Sequence, residues 1–158
     1  MISRLRGTLL TREPGGVEIA TDGGVVYEVE VPLTVLQRIP SPPRDGFELR
    51  TLQVVREDSV ALYGFLEAAE RELFRRLMSA SGVGARLALA MLSAYSAHRL
   101  VRALVEKDVA ALKQVSGVGK KTAERLILEL SDKVADLAVA EPRSDGGSPG
   151  KVAQEAVS

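Results

Sequence analysis

A short glycine hairpin occurs twice in this 158-residue chain, 35 residues apart, as Ser81-Gly82-Val83-Gly84 followed by Ala85-Arg86, and as Ser116-Gly117-Val118-Gly119 followed by Lys120-Lys121. The apolar frame around it repeats as well. Leu77, Ala80, Val83, Ala88, Met91 and Leu92 match Leu112, Val115, Val118, Ala123, Leu126 and Ile127. One Gly-x-Gly is a weak signal, but two in one frame define a duplicated helix-turn-helix unit whose second helix starts at a glycine. The first backbone N–H groups of such a helix have no internal acceptor, and the helix dipole adds partial positive charge there. Gly82, Gly84, Gly117 and Gly119 allow positive φ and let a phosphate approach without a Cβ in the way. Arg86, Lys120 and Lys121 sit in the first turn, where a cation opposes the dipole; an external anion removes that conflict. The competing reading, tight turns with solvated cations, applies to either copy alone and is weakened by the shared frame. Val83 and Val118 are core pegs on both readings.

Charge supports a local footprint on phosphate. The formal net charge is zero, but residues 1–62 carry 7 basic and 9 acidic side chains, residues 66–133 carry 12 and 8, and residues 134–158 carry 2 and 4. A neutral chain with a basic middle is unsuited to indiscriminate nucleic-acid binding yet able to hold a backbone locally. There are no cysteines, so disulfides and thiolate metal sites are excluded. No run has the apolar length of a membrane span or a signal peptide, and a cytoplasmic protein is expected.

The pattern changes character near residue 65. Before it, β-branched and alternating runs between turn signals predict strands at 2–10, 17–20, 25–31, 47–56 and 59–63, with a tight reversal near Asp58 and a short helix over 33–39 plugging one end. Five short strands suit a small closed barrel of the OB type. From Leu66 the period is helical, with helices expected over 67–78, 84–94, 96–106 (Ser96 as N-cap), 109–114 (Asp108 as N-cap) and 119 to about 138. The expected fold is therefore β then α: a five-stranded OB-fold barrel over 1–65, then an all-α tandem helix-hairpin-helix unit over 66–140. Residues 141–150 contain no large apolar side chain and read as a flexible linker, leaving 151–158, eight residues that could start a helix but cannot form a domain.

Catalytic signals are missing from this pattern. Gly119-Lys120 resembles the end of an ATPase phosphate loop, but Gln114 stands where that loop needs glycine, and Lys121 where it needs a hydroxyl. His98 is the only histidine and reads as solvated; Glu67, Glu70 and Glu72 read as a solvated helix face. No catalytic residue, metal ligand or cofactor is expected. The six aromatics look like packing residues rather than the exposed stacking platform of a single-strand binder.

These residues, in order, resemble the RuvA family, the Holliday-junction-binding subunits of the bacterial branch-migration complex. The likeness rests on Arg4-Leu5-Arg6-Gly7, Tyr27-Glu28-Val29, Val54-Val55-Arg56-Glu57-Asp58, Leu62-Tyr63-Gly64-Phe65, both hairpins and the run from Gly117 to Arg125. It covers residues 1 to about 140. The resemblance implies a homotetramer, one or two of which hold a four-way DNA junction open and nearly planar in recombination, repair and the SOS response. It implies a hexameric RuvB ATPase as motor and the RuvC resolvase as a second partner. It also implies that Glu57 and Asp58, otherwise readable as a solvated turn, form an acidic pin where strands exchange, with Arg56 orienting them. Ala85-Arg86 replaces the family's usual proline and lysine but keeps the charge, and the second hairpin, with Lys120-Lys121, is expected to be the stronger phosphate holder. Residues 154–158 resemble only the start of the family's third, ATPase-binding unit. Two other classes fit parts of the pattern: the DNA-binding subunit of a structure-specific nuclease or repair enzyme, and a protein-interaction module.

Overall fold

The computed structural model describes residues 1–140. Five strands, β1 (Arg4–Glu13), β2 (Gly16–Ala20), β3 (Val26–Glu30), β4 (Arg44–Val55) and β5 (Val60–Phe65), close a barrel in the order β1-β2-β3-β5-β4. All neighbours are antiparallel except β3 and β5, which meet in parallel at Glu30 and Tyr63. Closure on so few strands requires β1 to pair on both sides, and its register shifts against β4 between Gly7 and Leu9 and against β2 between Leu9 and Thr11. Such irregularities let a strand bend around a small barrel. At Gly7 the chain comes so near Ala20 that any side chain would collide with the Ala20 carbonyl.

Two strands are longer than the sequence pattern suggests: β1 runs on to Glu13 and β4 begins at Arg44. The added residues pair across the barrel (Arg12 with Val17, Leu9 with Arg44), so ladder partners extend segments whose alternation has already faded. Between β3 and β4, α1 (Leu33–Leu36) buries Val35 and Leu36, Ile39 after it is buried too, and the helix packs against α3 (Ala85–Ala94) of the helical part.

The helical part comprises α2 (Ala68–Met78), α3 (Ala85–Ala94), α4 (Ala97–Val105), α5 (Val109–Lys113) and α6 (Lys120–Leu130), then a 3-10 turn over Ala135–Ala140. Ser96 caps α4 and Asp108 caps α5, each accepting the backbone N–H three residues on, as their types and positions predict. The expected single helix from 119 to 138 is interrupted. After Leu130, Arg76 of α2 donates to the Lys133 carbonyl (3.0 Å) and to Asp136 Oδ1 (2.5 Å), and Leu137 N–H bonds to Val134 rather than one residue further back. The tertiary pull of Arg76 captures carbonyl and side chain from a segment whose Ser131-Asp132-Lys133 start has only moderate helix propensity. The apolar stripe survives nonetheless, with Val134 buried and Leu137 partly so.

One buried cluster runs through both parts. Its joint is aromatic: Phe74 of α2 lies 5.1 Å from both Tyr63 and Phe65 of β5, in tilted geometry. The seam is fixed further by Thr34 Oγ1 donating to the Leu92 carbonyl (2.6 Å) and by Ser93 Oγ accepting from Leu33 N–H (3.0 Å). Arg38, just after α1, pairs with Glu70 and with Glu67 (3.6 Å).

Glu70 corrects the expectation of a solvated acidic face. It is 6% exposed, because its carboxylate accepts Leu66 N–H (3.1 Å) and Glu67 N–H (3.0 Å) while the Glu67 side chain caps in return. This capping box turns a surface residue into a buried one. Burial pushes the Glu70 carboxyl above its ordinary pKa, against the opposing pull of Arg38. His98 is half-buried and lines a cavity of about 430 Å3 between α1, α2 and α4. Among the described residues no helix is long and apolar enough to cross a membrane, and no group of three or more His, Asp or Glu is placed to hold a metal ion. The expected linker and the residues beyond it, 141–158, lie outside the described residues.

Candidate nucleic-acid interface

All twelve apolar positions of the repeated frame are buried, none more than 8% exposed. The two units therefore pack alike and hold their turns alike. Val83 N–H bonds to the Ala80 carbonyl (3.2 Å) and Val118 N–H to Val115 (3.0 Å), the same one-turn closure in both copies. Gly82 has φ +81° and Gly117 +88°, the left-handed region that costs a residue with a Cβ about 1–2 kcal/mol. Gly84 and Gly119 then stand as N-caps of α3 and α6 with nearly the same torsions, φ −98° and ψ −175° against φ −96° and ψ −171°.

A glycine cap has no side chain of its own to accept the first N–H groups of its helix, and neither α3 nor α6 has a side-chain cap. The first internal bonds are Ala88 N–H to Gly84 (3.0 Å) and Ala123 N–H to Gly119 (2.9 Å). The N–H groups of Ala85, Arg86 and Leu87, and those of Lys120, Lys121 and Thr122, therefore precede the first internal bond of each helix, and all but that of buried Ala85 belong to residues at least partly exposed. A Cβ at Gly117 or Gly119 would meet nothing within 4 Å, so both face open space. Arg86, Lys120 and Lys121 are exposed beside these ends.

Space brings two further cations to the first hairpin. A Cβ at Gly82 would stand 3.1 Å from Arg125 Nη2, and one at Gly84 would stand 3.8 Å from Arg56 Nη2. Arg56 comes from the end of β4, and Arg125 from α6 of the second repeat. Arg56 and Arg86 both act electrostatically on the Tyr63 phenol, whose pKa is raised chiefly by burial and by Glu30 while the two guanidiniums pull it down. The first hairpin is thus ringed by Arg56, Arg86 and Arg125. Among the described residues, neither these three nor Lys120 and Lys121 pair with a carboxylate.

Ranking the hairpins by the cations adjacent in the chain overlooks this convergence. A partial signal was present, since Lys121 and Arg125 are four apart and share a face of α6. Nothing in the sequence pointed Arg56 at Gly84.

The pin candidates occupy the tip of the β4–β5 hairpin. Arg56 N–H bonds to the Ser59 carbonyl at 2.8 Å, closing a turn that leaves Glu57 and Asp58 exposed. Val55 and Val60 pair directly at its base, 68% and 61% exposed. The three elements are linked through Arg56: it leaves the pin turn and reaches the first glycine hairpin, and Arg125 joins that hairpin to the second repeat. Acid and base are separated by the length of one turn, so the surface combines a repelling tip with an attracting flank.

Comparison with known proteins agrees with this layout. Residues 1–64 match the RuvA N terminal domain family, and residues 74–132 match the SAM-like helix-hairpin-helix tandem family. A Holliday junction branch migration complex subunit RuvA from Gemmatimonas aurantiaca is 47% identical over 157 residues, covering 99% of this chain and 78% of that protein. The protein of the same name from Pseudomonas paraeruginosa is 51% identical over 133 residues, covering 84% of this chain and 65% of its own length. That from Laribacter hongkongensis is 46% identical over 157 residues, covering 99% and 75%. With a barrel and a tandem hairpin unit in this order, and identity of this level along most of its length, the chain belongs to the RuvA family.

Proposed function

We propose that this chain binds four-way DNA junctions through sequence-independent backbone contacts, holds them open and planar, and serves as the scaffold on which a branch-migration ATPase works. The observation that carries this reading is the pair of hairpins with matching torsions, uncapped N–H groups and cations that lack carboxylate partners. Each hairpin offers one phosphate a ring of backbone donors and one or more charged side chains. Contacts of this kind carry no base information, which suits a junction whose sequence changes as it migrates.

On this reading residues 1–65 form the barrel with its pin, residues 66–140 bind DNA, and residues 141–158 lead toward an ATPase-binding unit. Gly82, Gly84, Arg86, Gly117, Gly119, Lys120 and Lys121 hold backbone phosphates, joined by Arg56 and Arg125. Glu57 and Asp58 repel phosphates at the crossing point and keep the strands apart. Four copies around the junction, or two such tetramers enclosing it, present the hairpins to all arms. Each migration step breaks and remakes equivalent pairs, so direction must come from a partner that hydrolyses ATP, the hexameric RuvB; RuvC resolves the same junction. The protein works in the cytoplasm.

The test compares gel-shift affinity for a four-way junction with that for linear duplex of the same sequence over a salt series. Tighter junction binding with a steep salt dependence is expected; equal affinity for both would refute junction recognition.

A further inference from the structure

Each glycine hairpin begins with an exposed serine, Ser81 in the first copy and Ser116 in the second. The serine holds the second place of a four-residue turn, 80–83 or 115–118, closed by the bond from the last N–H to the first carbonyl (3.2 and 3.0 Å), with a positive-φ glycine in third place. A turn of this pattern favours proline at its second position, because the ring presets φ. Serine suits a turn or a helix start when its hydroxyl bonds to nearby backbone. Three serines around the first hairpin do bond to backbone: Ser79 Oγ donates to the Arg76 carbonyl (2.6 Å), Ser93 Oγ accepts Leu33 N–H (3.0 Å) and Ser96 Oγ accepts Arg99 N–H (3.4 Å). Ser81 and Ser116 make no side-chain hydrogen bond among the described residues. Turn stability therefore does not account for a serine in both copies. Each hydroxyl also stands beside cations. Arg125 Nη2 lies 3.1 Å from where a Cβ on Gly82 would stand, one residue along from Ser81, and Lys120 and Lys121 open α6 shortly after Ser116.

We infer that Ser81 and Ser116 are phosphorylation sites, and that each phosphoserine shuts its hairpin to DNA by seating a phosphate of the chain's own among the groups that hold the backbone. Such control rests on the phosphate-holding reading proposed above and regulates that same site. A protein serine kinase delivers the group from a nucleoside triphosphate: the serine Oγ–P bond forms, the bond from the γ-phosphorus to the leaving diphosphate breaks, and the hydroxyl proton passes to the kinase's base. Hydrolysis by a phosphatase restores the hydroxyl. A phosphoserine adds about 1.5–2 negative charges at neutral pH and three acceptor oxygens. Arg56, Arg86 and Arg125 at the first hairpin, and Lys120 and Lys121 at the second, pair with no carboxylate among the described residues, so the new anion gains charge-assisted bonds without breaking an ion pair. Tethered to the turn, it competes with DNA at an effective concentration of about millimolar. Its charge also repels an approaching backbone. Both hydroxyls are exposed in the bare chain, so the DNA-free protein is the form a kinase reaches.

The full chain carrying phosphoserine at Ser81, at Ser116 or at both, installed during translation, is compared with the unmodified chain in junction gel shifts over a salt series. Each phosphoserine should weaken junction binding by about tenfold or more and flatten the slope of log affinity against log salt by about 0.9, one lost phosphate contact. Equal affinity in chains that fold alike by circular dichroism overturns the inference. Phosphorus NMR reads the seating itself. Neighbouring cations favour the doubly ionised phosphate, so its second ionisation should fall below that of phosphoserine in an unstructured peptide; an unshifted titration leaves the group unseated and overturns the inference too. If a phosphoserine chain fails to fold, Ser81→Asp/Ser116→Asp decides instead, with weaker junction binding expected and parent affinity overturning. Mass spectrometry of the protein drawn from its own cells, before and after DNA damage, should find phosphopeptides modified at Ser81 or Ser116, and their absence from both samples overturns the modification. An unmodified chain that binds junction and linear duplex equally refutes the proposed function itself, whereas one that prefers the junction and is indifferent to phosphoserine refutes only this control.

Discussion

Gly82 and Gly117 have the same backbone conformation in different surroundings, so replacing each by alanine separates what the turn needs from what the ligand needs. Both have φ above +80°, so both substitutions carry the left-handed cost, about 1–2 kcal/mol. At Gly117 nothing lies within 4 Å of the added Cβ, and that cost is the whole effect. At Gly82 the Cβ meets Arg125 Nη2 at 3.1 Å, the far end of a flexible side chain, which swings aside with little effect on stability. Urea unfolding should therefore give similar losses for Gly82→Ala and Gly117→Ala, each about 1–2 kcal/mol, or a fall in Tm of about 2–8 °C for a chain of this size. Junction binding should separate them. Gly82→Ala displaces a guanidinium from the first hairpin and should flatten the slope of log affinity against log salt by about 0.9, one phosphate contact, beyond any change in Gly117→Ala. Gly119→Ala, at an extended φ of −96°, should cost less stability than Gly117→Ala yet weaken binding, because its Cβ would fill the open space in which the proposed phosphate contact lies. A Gly117→Ala protein as stable as the parent would refute the positive-φ argument. A Gly82→Ala loss several kcal/mol larger than that of Gly117→Ala would refute the idea that Arg125 moves freely.

Three further outcomes are expected. Lys120→Ala/Lys121→Ala and Arg56→Ala/Arg125→Ala should each lower the salt slope of junction binding by about 1–2, at roughly 0.9 per lost contact; an unchanged slope in either pair removes those side chains from the backbone-contact set. Glu57→Gln/Asp58→Asn should leave junction affinity equal or higher while changing strand separation at the crossover, read by 2-aminopurine fluorescence, and a large loss of affinity would contradict repulsion at the pin. The two buried-edge glutamates of α2 should act in opposite senses on acid stability. Burial raises the Glu70 pKa, so its protonation favours the folded state: its contribution is fully present below the unfolded carboxylate range and fades as pH rises through the folded value. Hydrogen bonds from Arg75 and Arg76 lower the Glu72 pKa, so its contribution is present above the unfolded value and lost as pH falls through the folded one. Unfolding between pH 7 and pH 3 should therefore be steeper in its acid limb for Glu70→Gln and shallower for Glu72→Gln; parallel limbs would show that neither carboxylate is coupled to folding.

Much of this molecule is legible one residue at a time because the responsible physics is local. The duplicated frame, with Val83 and Val118 as pegs, depends on helical spacing and on hydrophobic burial repeating with it. Ser96 and Asp108 cap the helices that follow them because a short polar side chain reaches only its own first turn. The five strands and the reversal at Asp58 follow from alternation and turn chemistry. Where the chain's own pattern stops short, as at the ends of β1 and β4 or beyond Leu130, the outcome depends on partners distant in sequence: barrel neighbours extend the strands, and Arg76 diverts the last helix. Glu70 has a helical spacing no different from that of a solvated glutamate, and only the capping box and Arg38 bury it.

The sequence by itself determined the repeated glycine turn, since a glycine that must take positive φ and a helix end without a side-chain cap are properties of a few consecutive residues. The tertiary structure alone decided how much charge that turn commands. Arg56 arrives from a barrel strand and Arg125 from the other repeat, and their meeting at Gly82 and Gly84 depends on how α2 packs against the barrel and α3, and α6 against α4 and α5. Electrostatic reach is set by distance in space, which separation along the chain does not measure.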